Sequence, residues 1–137
     1  MDKDSTNKIR YAAEITNCTY RETIFYMWTQ LALKGISVAD FFRTNGLRRI
    51  VVYGYGRVGK LVCREIEKCD DLSLVAVIDK NYKKIDCNFT GISPEDTIPE
   101  HDILISTYTD TNYVRNKLAG RSDSIVGFDE VLKGYGI

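Results

Sequence analysis

Proline, histidine and net charge are scarce in this 137-residue chain. It has two prolines and one histidine, and 19 lysines plus arginines balance 19 aspartates plus glutamates. The charge balance removes the basic footprint expected of a duplex nucleic-acid binder, so no nucleic-acid partner is expected. There is no run of about 18 apolar residues, so no membrane span is expected either. Nor does the polar start, Met-Asp-Lys-Asp-Ser-Thr-Asn-Lys, read as a signal peptide; a cytoplasmic protein is the expectation. The four cysteines, Cys18, Cys63, Cys69 and Cys87, form no C-x-x-C pair, and the lone His101 cannot complete a metal set with them. They read as reduced thiols, with Cys63 on a buried helix face.

With 44% hydrophobic and 28% charged residues, the chain has the composition of one globular domain with a single modest core. Residues 1–18 give no clear pattern. A helix start is then expected at Thr19, because Thr19-Tyr20-Arg21-Glu22 has the capping-box form. Tyr20, Ile24, Met27, Trp28 and Leu31 follow at helical spacing, and Gly35 ends the run. Ser37 and Asp40 repeat the same grammar for a short helix stopped by Gly46. Residues 1–46 thus read as an amino-terminal helical cap.

From residue 47 to 137 the pattern becomes strands alternating with helices. Continuous apolar runs at 49–53, 74–78 and 102–107 read as buried strands, and 124–128 as a last short one. Helical periodicity occupies 57–68 and 111–118, with a final turn or two at 129–133. Right-handed crossovers then give a small doubly wound parallel sheet. Residues 80–101 break the alternation. There the expected helix shrinks to a turn near 93–96, with a strand stub around 89–92, so the fold is abbreviated after its second strand. The bare sheet face left behind needs a cover, and Phe25, Trp28, Phe41 and Phe42 of the cap are the candidates. The same aromatics would serve a homodimer surface.

The chemistry-bearing motif is Gly54-Tyr55-Gly56-Arg57-Val58-Gly59, which follows a predicted strand and opens a predicted helix. In that setting Gly54 allows the tight turn, Gly56 lets backbone approach a pyrophosphate, and Gly59 lets the helix pack closely. Main-chain amides at the helix start hold the anion. Asp79, at the end of the second strand, is placed to accept from ribose hydroxyls. Its charge favours NAD over NADP, while Lys80, Lys83 and Lys84 weaken that preference; coenzyme A and nucleotide sugars stay open. The competing reading makes the glycines a plain strand-to-helix turn and Asp79 a turn residue. No G-x-x-x-x-G-K-[ST] occurs.

Catalytic groups are harder to name. Ser106, Thr107, Thr109 and Asp110 end the third strand on the ligand side, and Thr107 joins the candidate cofactor contacts. Tyr113 and Lys117 form Y-x-x-x-K, best taken as an ordinary helix face. His101 is expected in a solvated loop at the other end of that strand. Binding is supported more than turnover. The alternative is a small NAD-dependent dehydrogenase or epimerase-type subunit using Tyr108, Tyr113 or Lys117 with a partner chain. A scaffold that kept the fold and lost the ligand is the third reading.

Ile50-Val51-Val52-Tyr53-Gly54-Tyr55-Gly56-Arg57-Val58-Gly59-Lys60, Val75-Ala76-Val77-Ile78-Asp79-Lys80-Asn81 and Ile92-Ser93-Pro94 carry a family likeness. Together with Asp102-Ile103-Leu104-Ile105-Ser106-Thr107, they resemble the Rossmann-type nucleotide-binding modules of bacterial polysaccharide and nucleotide-sugar biosynthesis proteins. Those modules precede nucleotide-sugar dehydratases and sugar acyltransferases. The lead-in, Lys34-Gly35-Ile36-Ser37-Val38-Ala39-Asp40-Phe41-Phe42, is similar to that of small proteins found with polysaccharide genes. This resemblance implies a nucleotide-binding module that leaves catalysis to another chain, a glycan-biosynthesis protein. Gly-Tyr-Gly-Arg-Val-Gly also resembles the NAD-sensing domains of potassium channels and transporters, which add a Gly-Asp pair absent here. The first strand and helix are similar to those of dehydrogenases acting on amino-acid precursors as well.

Overall fold

The computed structural model describes residues 3–135, with side-chain surroundings for residues 18–135. Its first element, α1, spans Lys3–Leu33. This corrects the helix start expected at Thr19, which lies inside the helix; its carbonyl accepts from Thr23 Oγ1 at 2.9 Å. A capping box caps only where the backbone enters from outside, and no glycine or proline precedes Gly35 to break the helix. The apolar stripe is as expected, with Ile24, Met27 and Leu31 buried. Gly35 ends the helix with φ +76°, and Ile36 N reaches back to the Leu31 carbonyl at 2.9 Å. In the following helix, α2 (Val38–Thr44), the grammar does make a cap. Ser37 Oγ accepts from Ala39 N at 3.2 Å, and Asp40 Oδ2 accepts from Ser37 N at 3.1 Å.

The remaining elements are β1 (Arg49–Tyr53), α3 (Arg57–Glu67), β2 (Ser73–Ile78), β3 (Gly91–Ile92), β4 (Ile103–Ser106), α4 (Thr111–Lys117), β5 (Ile125–Gly127) and α5 (Phe128–Lys133). The five strands form one all-parallel sheet in the order β3-β2-β1-β4-β5. Tyr53 pairs with Ile78 on one side and Ser106 on the other, so these strand ends are level. Helices flank both faces, as a small Rossmann-like doubly wound fold requires. On one face Ile50, Val52, Val77 and Ile105 share a core with α1, α2, α3 and α5. Trp28 meets Phe128 edge-on there, with ring centres 4.9 Å apart. On the other face Val51, Tyr53, Ala76, Ile78 and Leu104 pack with Val114 and Leu118.

The segment after β2 is abbreviated, although its helical remnant is not where the sequence suggested. Ser93 and Asp96 do make a turn, with Ser93 N on Asp96 Oδ2 at 2.8 Å. The helical piece lies earlier, a 3-10 turn at Tyr82–Lys84. A parallel crossover must pass over a sheet face between β2 and β3, which places any helical turn before β3. The crossover also contributes Ile85 and Phe89 to the first core. Phe25, Trp28, Phe41 and Phe42 join the same core, from helices that pack on α3 and α5.

At the amino ends of the strands Asp102 ties β1 to β4. Its Oδ2 accepts from Arg48 N at 2.9 Å and Arg49 N at 2.8 Å, and Oδ1 meets the Arg49 guanidinium at 2.9 Å. The two amides and the guanidinium hold its carboxyl down at about 2. His101, expected in solvent, is half-buried at this end, with Nδ1 2.8 Å from Pro99 O and Nε2 2.8 Å from Ser122 Oγ. A short loop sequence hides such a partnership because Ser122 comes from 21 residues away. All four cysteines are free, and burial pushes the Cys63 thiol up to about 12. Among the described residues there is no cluster able to hold a metal, and no helix long and apolar enough to cross a membrane.

Candidate functional site

The turn after β1 is built from both neighbouring strands. Gly54 N donates to the Ile78 carbonyl at 2.8 Å, and Gly54 takes φ +99°, open to glycine and costly for other residues. A Cβ at Gly54 would also approach Thr107 Oγ1 to 2.5 Å. That hydroxyl donates to the Tyr53 and Gly54 carbonyls at 2.9 and 3.2 Å, so Thr107 splints the turn as well as facing the site. At Gly59 a Cβ would be driven into the Gly54 carbonyl, so α3 sits on the strand end only because this position is bare. Gly56 differs. Its φ of −82° suits any residue, and a Cβ there would meet nothing within 4 Å. Gly56 is also the N-cap of α3, which starts with no side-chain cap and no acid in its first turn. The helix-start amides thus lack the usual side-chain acceptor.

Asp79 stands one residue past β2. Its Oδ2 accepts from Tyr55 N at 2.8 Å and its Oδ1 from Asn81 N at 2.8 Å. A carboxylate offers about four acceptor positions, so each oxygen keeps capacity after holding the turn. The carboxylate therefore does two things: it fixes the glycine turn and borders the space above it.

That space is a cavity of about 570 Å³ over the carboxyl ends of β1 and β4. Here the chain leaves β1 toward β2 on one side and β4 toward β5 on the other, the switch point where doubly wound sheets open a crevice. Gly54, Tyr55, Gly56, Arg57, Val58, Gly59, Asp79 and Thr107 all line it, so the structure brings together every candidate contact except Lys80. Lys80 is exposed and lies outside the lining. Tyr108, Thr109, Asp110 and Tyr113 complete the wall from the β4 side. Two further residues, Tyr20 and Arg21, reach the cavity from α1. Nothing local in the sequence marks them: Tyr20 belongs to the core stripe, and only tertiary packing carries that end of the stripe to the crevice.

The acids in the lining already have donors. Asp79 holds two amides, and Asp110 caps α4 by accepting from Tyr113 N at 3.2 Å. The two arginines stand differently. Among the described residues neither Arg21 nor Arg57 makes an ion pair; Arg21 Nη2 donates to Cys18 Sγ at 3.3 Å. Lys60 Nζ lies 5.7 Å from the Tyr55 ring centre. On the β4 side Tyr53 meets Tyr108 edge-on, with ring centres 5.0 Å apart, and Tyr108 lies parallel to Tyr113 at 6.2 Å. Burial, then the neighbouring tyrosines, pushes the Tyr53 hydroxyl up to about 12. Burial and then the Asp79 charge raise Tyr108. Ser106 is fully buried and its Oγ accepts from Tyr108 N at 3.3 Å. Lys117 is paired with Glu95 at 3.3 Å.

No protein-family model, no curated protein and no solved structure matches this chain. What its fold and site define together is a small Rossmann-like α/β protein with a cavity at the topological switch point, edged by a glycine turn, one strand-end carboxylate and two arginines.

Proposed function

We propose that this protein binds NAD(H) or a closely related nucleotide across the cavity above the glycine turn. Its role would be that of a binding component, accessory to a glycan-biosynthesis protein, rather than an enzyme in its own right. Gly56 carries the reading. Packing within the protein accounts for the bare positions at Gly54 and Gly59, but nothing in the protein needs Gly56 to lack a side chain. Gly56 lines the cavity with open space where its side chain would begin, and it is at such a helix start that a diphosphate would meet the amides of α3. The residues suit such a ligand in other respects. A cavity of about 570 Å³ falls within the roughly 300–1,000 Å³ of small-molecule sites. Asp79 keeps acceptor capacity for ribose hydroxyls, and its charge opposes a 2′-phosphate. The accessory role rests on the resemblance to nucleotide-binding modules of polysaccharide biosynthesis.

The tyrosines lend no support to the alternative enzyme reading. A tyrosine that moves protons near neutrality needs a lowered pKa, whereas burial raises Tyr53 and Tyr108. Lys117, which would have to assist Tyr113, is engaged by Glu95.

The test is ligand-induced thermal stabilisation, since a ligand that binds only the folded state raises the melting temperature by mass action. NAD is expected to stabilise the wild type more than NADP does. Asp79→Asn should narrow that preference by weakening NAD and relieving repulsion of the 2′-phosphate. A chain left unshifted by NAD, NADP, coenzyme A and nucleotide sugars would refute the proposal.

A further inference from the structure

α1 lies outside the strand–helix repeat that makes the site, yet it supplies part of the cavity wall. Ile24, Met27 and Leu31 anchor it in the core, and Tyr20 and Arg21, one turn earlier, stand at the cavity. We propose that Arg21 clamps the anionic diphosphate of the bound nucleotide, so that α1 is a working part of the site and ligand binding fastens it to the sheet. This rests on the nucleotide reading given above and goes beyond it.

Charge accounting within the cavity supports the assignment. The two carboxylates are already held by backbone amides, Asp79 by Tyr55 N and Asn81 N, Asp110 by Tyr113 N. The two guanidiniums have no acid partner among the described residues. The bond that Arg21 makes is to the thiol sulfur of Cys18 at 3.3 Å, a weak acceptor that leaves most of its five N–H groups over. An arginine half-buried at a cavity with its donors in hand suits an anion with several oxygens, because the planar fork can take two at once. A diphosphate carries two negative charges, more than the partial charge at one helix start balances. Arg57 is on α3 itself, so its contact would add affinity without involving another element. Arg21 comes from α1, and linkage then works in both directions: whatever its contact adds to nucleotide affinity it adds to α1 docking.

The experiment is calorimetric titration of NAD into the wild type, Arg21→Gln and Arg21→Lys. It is paired with hydrogen exchange over residues 18–33, with and without saturating NAD. Arg21→Gln is expected to weaken NAD about tenfold, the loss of a charge-assisted contact. Arg21→Lys should recover part of that, since it keeps the charge and loses the fork. The unliganded melting temperature of Arg21→Gln should match the wild type, because no ion pair among the described residues is removed. NAD should slow exchange across residues 18–33 in the wild type and do so less in Arg21→Gln. Unchanged NAD affinity in Arg21→Gln, or exchange over residues 18–33 indifferent to NAD in a wild type that binds it, overturns the clamp and leaves the nucleotide reading standing. A wild type that binds no nucleotide overturns both.

Discussion

The turn between β1 and α3 has three glycines, and each lacks a side chain for a different reason. Gly54 needs its positive φ, and Gly59 needs the contact of α3 with the Gly54 carbonyl. Gly56 faces open space. The distinction is measurable. Gly59→Ala should lose about 1–3 kcal/mol or more, as overpacking against rigid backbone does. Gly56→Ala should stay within about 1 kcal/mol of the wild type, because its backbone angles suit alanine. The same Gly56→Ala should weaken NAD in a titration, while urea unfolding gives the stabilities. Wild-type stability in Gly59→Ala would show that the helix can shift away from the strand. These positions were legible in the sequence because their demands are local: a turn, a close approach and an acid one residue past a strand. Tyr20 and Arg21 were not. Their place at the cavity depends on how α1 packs on the rest of the core, and no spacing within α1 encodes that.

Among the elements, the same contrast separates two identical-looking caps. Thr19 with Glu22 and Ser37 with Asp40 share one pattern, but only Ser37 follows a glycine that has already broken the helix. The preceding backbone decides whether the hydroxyl finds unpaired amides, and in α1 those amides are already in the helical ladder. The abbreviated crossover was legible as a missing helix, because two prolines and poor periodicity deny it one. Where its helical turn falls was not, since three residues carry no period. The join between β1 and β4 was likewise invisible, as Asp102 meets Arg48 and Arg49 across more than fifty residues. That join has a pH signature. The folded carboxyl sits at about 2, below the ordinary value of roughly 3.9. Its stabilisation is therefore complete above the ordinary value and is lost as pH falls from about 4 toward about 2. Urea unfolding across that range should show wild type and Asp102→Asn converging at the acid end. A constant gap between them would mean that the carboxylate does not hold the strands.

For the whole molecule, the question is whether the helical cap is an accessory to the fold or part of it. Ile24, Met27, Leu31, Val38 and Phe42 are all buried in one core with Ile50, Val52 and Ile105 of the sheet. Burying five such side chains is worth about 1.5–3 kcal/mol each, or roughly 8–15 kcal/mol in all. A whole domain has about 5–15 kcal/mol of net stability. A chain of residues 47–137 keeps the glycine turn, Asp79 and all five strands, but it exposes to water the side of the core that α1 and α2 cover. It is expected to lose fixed tertiary packing, seen as a weak near-ultraviolet circular dichroism signal and strong dye binding to exposed apolar surface. Adding back residues 1–46 as a separate peptide should restore the signal, because the lost contacts are non-covalent packing of the two helices against the rest of the core. If residues 47–137 were native-like alone, the cap would be a true appendage, and its arginine would have to serve the site without serving the fold. The expectation here is the reverse: the helices that complete the core also carry Arg21 to the cavity, so the core holds in place the residue that would grip the nucleotide.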